Sequence, residues 1–265
     1  MTNIYFLHTL ANFNQGNHRR TVTQKPITKN ISFHADNLRL TGTLHLPGNH
    51  RPPVVIGCHG LLSNRHSPKQ IALADACCRN NMAYFRFDHR GCGESQGEFA
   101  KVTSLEARCK DLFCAIETIN HRTDTGDRIG LFGSSMGGTV CLAVAGQLGL
   151  APLVTVAAPI QSRVIKNIQE GSNASHVTPI FLDSHQNHFD ISEMLGSISG
   201  ILIFHGDADK VVPVAHARKL YKMAHKPKKL IIQNQGDHPM SNENHQQDFI
   251  RETLCWFKTS LFNYP

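Results

Sequence analysis

Leu131-Phe132-Gly133-Ser134-Ser135-Met136-Gly137-Gly138 is an apolar strand ending followed at once by Gly-x-Ser-x-Gly. A serine on a sharp strand-to-helix turn is forced into a strained backbone, and only neighbours without side chains fit around it. Gly133 and Gly137 are such neighbours, which makes Ser135 the candidate nucleophile. The turn also aims the next backbone N–H, that of Met136, at the place where an oxyanion develops during acyl transfer. Glycine and serine are common, so the pentapeptide alone leaves an ordinary turn as an equal reading. The other chemistry-bearing residues decide between the two.

A serine hydroxyl is a poor nucleophile near neutrality; it needs a base in contact and a carboxylate to orient that base. Among 17 histidines, His238 follows the last apolar run, in Gly236-Asp237-His238, and can reach across to Ser135. His59 and His205 also end apolar runs, but each precedes a glycine at a corner, where a structural hydrogen-bonding role is expected. The remaining histidines are expected to be exposed. The acid belongs on the loop after the preceding run, where Asp207 and Asp209 both qualify. Asp209 is preferred, because Lys210-Val211-Val212-Pro213 is expected to start a helix and leave Asp209 at the far side of the loop. Asp207 stays tight in the turn and is the alternative, while Asp237 is expected to be structural. A second N–H donor is expected after Val54–Cys58: Gly60 admits a close approach and Leu61 supplies the amide, with Leu62 as the fallback.

These residues need a frame that brings them to one place. Ile31, Phe33, Leu38, Leu40, Leu44 and Leu46 alternate with polar residues across Asp36-Asn37, as a half-exposed antiparallel hairpin does. From Val54 onward the apolar runs are short and continuous: Val54–Cys58, Met82–Phe87, Ile129–Phe132, Leu153–Ala158, Ile201–Phe204 and Leu230–Ile232. Such runs are strands covered on both faces. Helical patterns lie between them, most clearly Leu105 to Ile119, introduced by a capping box from Thr103 to Glu106. Strand alternating with helix implies a parallel sheet, whose ligands sit beyond the carboxyl ends of the strands. His59-Gly60, Asp88 to Gly91, the serine turn, His205 to Asp209 and Gly236 to His238 all fall there. Between Ile160 and Ser199 about 40 residues exceed an ordinary connection. They are read as a lid whose Ile165, Ile168, Ile180, Phe181, Leu182 and Phe189 line an acyl pocket, against the alternative of an excursion packed on the outside.

Composition narrows the function classes. The 265 residues are 40% hydrophobic and 18% charged, globular values for one large α/β domain over 27–261 after an extension at 1–26. None of the eight cysteines is spaced as Cys-x-x-Cys, which argues against a zinc ribbon or redox pair; several fall inside apolar elements, where a free thiol acts as a small hydrophobe, and a reducing, cytoplasmic setting is expected. A formal charge of +7 and the cluster Arg218, Lys219, Lys222, Lys226, Lys228 and Lys229 read as a solvated helix face. No stacking aromatics accompany it, so no nucleic-acid partner is expected. Neither a secretory signal nor a membrane span is recognisable.

Together these motifs resemble a serine-dependent α/β-hydrolase, similar to small carboxylesterases, cinnamoyl-ester hydrolases and monoglyceride-lipase-like (serine aminopeptidase S33-type) enzymes. They are His59-Gly60, Phe87-Asp88-His89-Arg90-Gly91-Cys92-Gly93-Glu94-Ser95, Gly133 to Gly138, His205 to Asp209 with Val212-Pro213, and Gly236 to His238. The resemblance spans about 27–261. It implies the α/β-hydrolase fold: a mostly parallel central sheet with an N-terminal antiparallel hairpin, helices on both faces and a short lid insertion. It also implies Ser135, Asp209 and His238 as the triad, Leu61 and Met136 as oxyanion donors, and a tight-loop role for Asp88 and Arg90. The chemistry requires no metal or organic cofactor, and its partner is a small-molecule ester. Two departures matter. Leu61-Leu62-Ser63 replaces a longer glycine series, which argues against tertiary esters, and the short lid argues against interfacial activation. An amide, peptide or thioester hydrolase would use the same triad, and a noncatalytic binding protein on this fold would usually lack one of its members.

Overall fold

Each continuous apolar run forms a strand, because side chains on both of its faces find cover. A computed structural model of the chain describes residues 26–48, 50–162 and 188–262. Its strands are β1 (Ile27–Ala35), β2 (Leu38–Leu46), β3 (Val54–Cys58), β4 (Ala83–Phe87), β5 (Ile129–Ser134), β6 (Leu153–Val156), β7 (Ile201–Gly206) and β8 (Lys228–Gln233). They make one sheet in the order β1-β2-β4-β3-β5-β6-β7-β8. β2 runs antiparallel to β1 and β4; the remaining pairs are parallel. The helices are α1 (Pro68–Arg79), α2 (Phe99–Val102), α3 (Leu105–Asn120), α4 (Met136–Leu148), α5 (Ala215–Met223) and α6 (Glu243–Phe262). This is the α/β-hydrolase fold with its N-terminal hairpin.

Two cores follow from the two faces of the sheet. Ile56, Leu131, Leu153 and Ile203 meet α3, α4 and α5 on one side. Val55, Phe132, Val154 and Phe204 meet α1 and α6 on the other. The hairpin adds Phe33, whose ring lies 6.0 Å from Phe85 and 5.7 Å from Phe87.

Several expectations need correction. The hairpin is only half exposed on β1; β2 lies between β1 and β4 and is buried through Leu46, His45 and Thr43 included. The cap of α3 is Ser104, whose side chain accepts from Ala107 N, and Thr103 instead closes α2. A Ser-Leu-Glu start shifted by one residue satisfies the same orphan amides. Lys210 to Val212 are bends, and α5 begins only at Ala215. His45, His89 and His216 are buried rather than exposed, each with a hydrogen-bonding partner.

The extension up to residue 25 and most of the lid segment, 163–187 with Ile165, Ile168, Ile180, Phe181 and Leu182, lie outside the described residues. The two ends of that segment meet in an isolated antiparallel bridge, Gln161 to Asp190, and Ser162 N donates to Phe189 O at 3.0 Å. Phe189 packs against the core beside α3 and α4. No helix among the described residues is long and apolar enough to cross a membrane.

His45 carries a consequence for stability. Its Nε2 accepts from Arg86 Nε at 2.8 Å, and burial first, then the Arg86 charge, brings its pKa from 6.5 down to about 4. The unfolded chain therefore takes up this proton at higher pH than the folded one, so the contribution is complete above pH 6.5 and is lost as pH falls towards 4. Through this group the fold loses on the order of 3 kcal/mol across that interval. Urea denaturation as a function of pH measures it. His45→Gln keeps an acceptor for Arg86 and flattens this part of the curve; an unchanged slope in that variant refutes the attribution.

Candidate active site

The parallel strands all end at one edge, and the predicted residues gather there. Ser135 sits between β5 and α4 at φ 52°, ψ −126°, a conformation a non-glycine residue adopts only when its surroundings impose it. Its N–H donates to Val156 O at 2.8 Å, which ties the turn to β6. The flanking glycines are required by contact: a Cβ on Gly133 would stand 2.3 Å from Gly137 O, and one on Gly137 would stand 2.3 Å from Cys58 O. Met136 opens α4, where the first amides have no carbonyl within the helix.

His238 and Asp209 meet Ser135 in a hydrogen-bonded line. His238 Nε2 lies 3.2 Å from Ser135 Oγ, and His238 Nδ1 lies 2.7 Å from Asp209 Oδ2. An ionised carboxylate only accepts, so Nδ1 carries the proton and Nε2 is left free to take one. Asp209 is itself fixed: Oδ1 accepts from Val211 N and Val212 N, each at 2.8 Å, and Oδ2 also faces His205 Nε2 at 3.4 Å. Burial raises its pKa, but hydrogen bonds from His205, His238 and Val212 outweigh burial and hold it well below the carboxylate range. These bonds favour the carboxylate form of Asp209.

The other candidates serve the loops. Asp207 Oδ1 accepts from Gln235 N at 2.6 Å and joins the β7 and β8 loops. Asp237 Oδ1 accepts from Ser241 N at 2.7 Å, and Lys69 Nζ donates to Pro239 O at 2.7 Å, so the segment around His238 is held on both sides. His205 Nε2 donates to Val212 O at 2.8 Å. His59 Nδ1 donates to Gly60 O at 2.7 Å while its Nε2 accepts from His89 N at 3.1 Å, which requires a neutral ring. Burial, with His89 and Arg108 adding repulsion, accordingly drives its pKa well down.

Asp88 and Arg90 knit a tight loop after β4. Asp88 pairs with Arg65 and accepts from Glu94 N at 3.0 Å; Arg90 reaches Asp111 and Asp36. On the opposite side of the serine turn lies Gly60, where a Cβ would stand 3.5 Å from Ser135 Cβ. Leu61 and Leu62 follow it, half-buried. Among the described residues no group of three His, Cys, Asp or Glu is disposed to hold a metal ion.

Sequence reasoning missed four contributors to this geometry. The Val211 and Val212 amides carry no side-chain signal, and Lys69 is remote in sequence from the loop it holds. Arg108 was detectable, as a charge between Leu105 and Leu112 on the apolar face of α3.

The comparisons with known proteins bear on the family and the fold. The family model described as serine aminopeptidase, S33, matches residues 49–175. The uncharacterized protein YfhR of Escherichia coli O157:H7 is 30% identical over 225 residues, covering 82% of this chain and 74% of that protein. The mitochondrial palmitoyl-protein thioesterase ABHD10 of Mus musculus is 24% identical, with 73% and 71% covered. Among solved structures, Est1E of Butyrivibrio proteoclasticus with bound ferulic acid superposes with a TM-score of 0.71 at 16% identity, covering 87% of this chain and 99% of that one.

Proposed function

We propose that this chain, which belongs to the α/β-hydrolase superfamily, is a serine hydrolase that cleaves carboxylic esters of small to medium acyl groups through an acyl-enzyme. The observation that carries this reading is the line from Ser135 Oγ through His238 to Asp209, with distances of 3.2 and 2.7 Å. In the proposed reaction His238 Nε2 removes the Ser135 proton as Oγ attacks the ester carbonyl. The N–H groups of Leu61 and Met136 hold the oxyanion, and the imidazolium returns its proton to the departing alcohol. Water, deprotonated by the same imidazole, then attacks the acyl-enzyme and releases the acid. The substrate is a small-molecule ester, and five buried thiols among eight free cysteines support a reducing compartment, the cytoplasm.

A thioester substrate is the second reading, favoured by the thioesterase among the relatives. An amide substrate is the third, favoured by the aminopeptidase description of the matched family. All three use the same acyl chemistry, so rates decide between them. Fluorophosphonate labelling is expected at Ser135, and p-nitrophenyl acetate is expected to turn over faster than an acyl-thioester or an aminoacyl anilide. Exclusive cleavage of the anilide reverses the order, and absence of label on a folded protein removes the reading.

A further inference from the structure

Arg108 enters the core from the first turn of α3 and is fully buried. A guanidinium withdrawn from water is ordinarily matched by a carboxylate. Among the described residues this one has no ion-pair partner and instead addresses two successive backbone carbonyls. Its Nη2 donates to Leu61 O at 3.0 Å and its Nη1 reaches Gly60 O at 3.4 Å, with Cys92 Sγ 3.3 Å from Nη2. Gly60 O also accepts from His59 Nδ1 at 2.7 Å.

That arrangement fixes a direction. The Gly60-Leu61 peptide is trans, so its carbonyl and its N–H point to opposite sides. With the carbonyl turned to His59 and Arg108, the Leu61 N–H is turned the other way. Gly60 lies against the serine turn, its missing Cβ 3.5 Å from Ser135 Cβ and 3.6 Å from Ser134 O. Only a planar fork on a long stem can span two successive carbonyls from a neighbouring helix, which is the property that separates arginine from lysine.

We infer that Arg108 is a positioning residue: it locks the Gly60-Leu61 peptide with its amide directed to the oxyanion of an ester undergoing attack by Ser135. The inference rests on the serine-hydrolase reading above. A donor aimed before the charge appears needs no reorientation in the transition state, and without Arg108 the Leu61 carbonyl would be released and the single His59 bond would be left to hold this glycine corner. The cost of burying the charge is thereby exchanged for a rigid donor.

The experiment compares wild type, Arg108→Met and Arg108→Lys with p-nitrophenyl acetate. Arg108→Met is expected to lower kcat about 100-fold, the size of one lost oxyanion donor, while KM moves less than about threefold. The pH midpoint of kcat/KM stays in place, affinity for an alkylboronic acid falls in step with kcat/KM, and Arg108→Lys recovers part of the loss. A folded Arg108→Met with kcat within about threefold of wild type overturns the inference, as does a loss confined to thermal stability. If Arg108→Met does not fold, the wild-type crystal structure with Ser135 phosphonylated decides. Leu61 N is expected within about 3.2 Å of the phosphoryl oxygen with Arg108 on both carbonyls, and an amide directed elsewhere refutes the assignment. A wild type that is labelled at Ser135 beside an unaffected Arg108→Met defeats this inference alone. A folded wild type that takes no label defeats the reading beneath it as well.

Discussion

Ser135→Ala is expected to lower kcat/KM for p-nitrophenyl acetate by about 10⁶-fold and to abolish fluorophosphonate labelling. The loss is that large because the covalent route disappears altogether, leaving only positioned water and the oxyanion donors. Stability should barely change. The Ser135 side chain makes no cap hydrogen bond to α4, its hydroxyl touches His238 at 3.2 Å, and the backbone bond to Val156 O is retained. Alanine also keeps the Cβ that the φ of 52° already accommodates. Steady-state kinetics beside a thermal melt measure both quantities. A folded variant that keeps a tenth of wild-type activity would remove Ser135 from the mechanism.

Asp209→Asn is expected to cost about 10⁴-fold in kcat with little change in KM. The reason lies in which way an amide must face. Oδ1 is held by two N–H donors, Val211 and Val212, so the asparagine oxygen stays there and its NH₂ is directed to His238. Donor against Nδ1 then forces the ring proton onto Nε2, where it faces Ser135 and cannot accept. Flipping the amide offers no escape, because it would set NH₂ against two donors. Asp207→Asn is the matched control: its bond to Gln235 N is a loop contact, and kcat should stay within about threefold of wild type. A large loss in Asp207→Asn beside a near-normal Asp209→Asn would return the choice of acid to Asp207.

The pattern of what was readable in the sequence follows physical lines. The strands announce themselves because a two-sided core demands continuous apolar residues, and Val54–Cys58 matches β3 residue for residue. Their carboxyl ends follow from the parallel topology, which is why Ser135, Asp209 and His238 could be named from position and come together in the structure. Asp209 was preferred over Asp207 on the ground of a helix at Lys210 that does not form. What distinguishes Asp209 is a pair of backbone amides that no residue type encodes. Thr103 and Ser104 are chemically equivalent caps one step apart, so only packing selects between them. The buried histidines escaped for a related reason: His45 faces Arg86 across the sheet, a pairing set by the β2–β4 register rather than by either residue's neighbours in sequence.

The line from Asp209 to Ser135 also has an inside and an outside. The Asp209 side chain is wholly buried, that of His238 is 21% exposed, and Ser135 is half-buried. In the proposed reaction this makes a gradient of wetness along three residues: the anion that never changes state is kept dry, and the ring that must meet the second nucleophile touches solvent. Water thus reaches the ester of Ser135 by the imidazole, without passing the carboxylate.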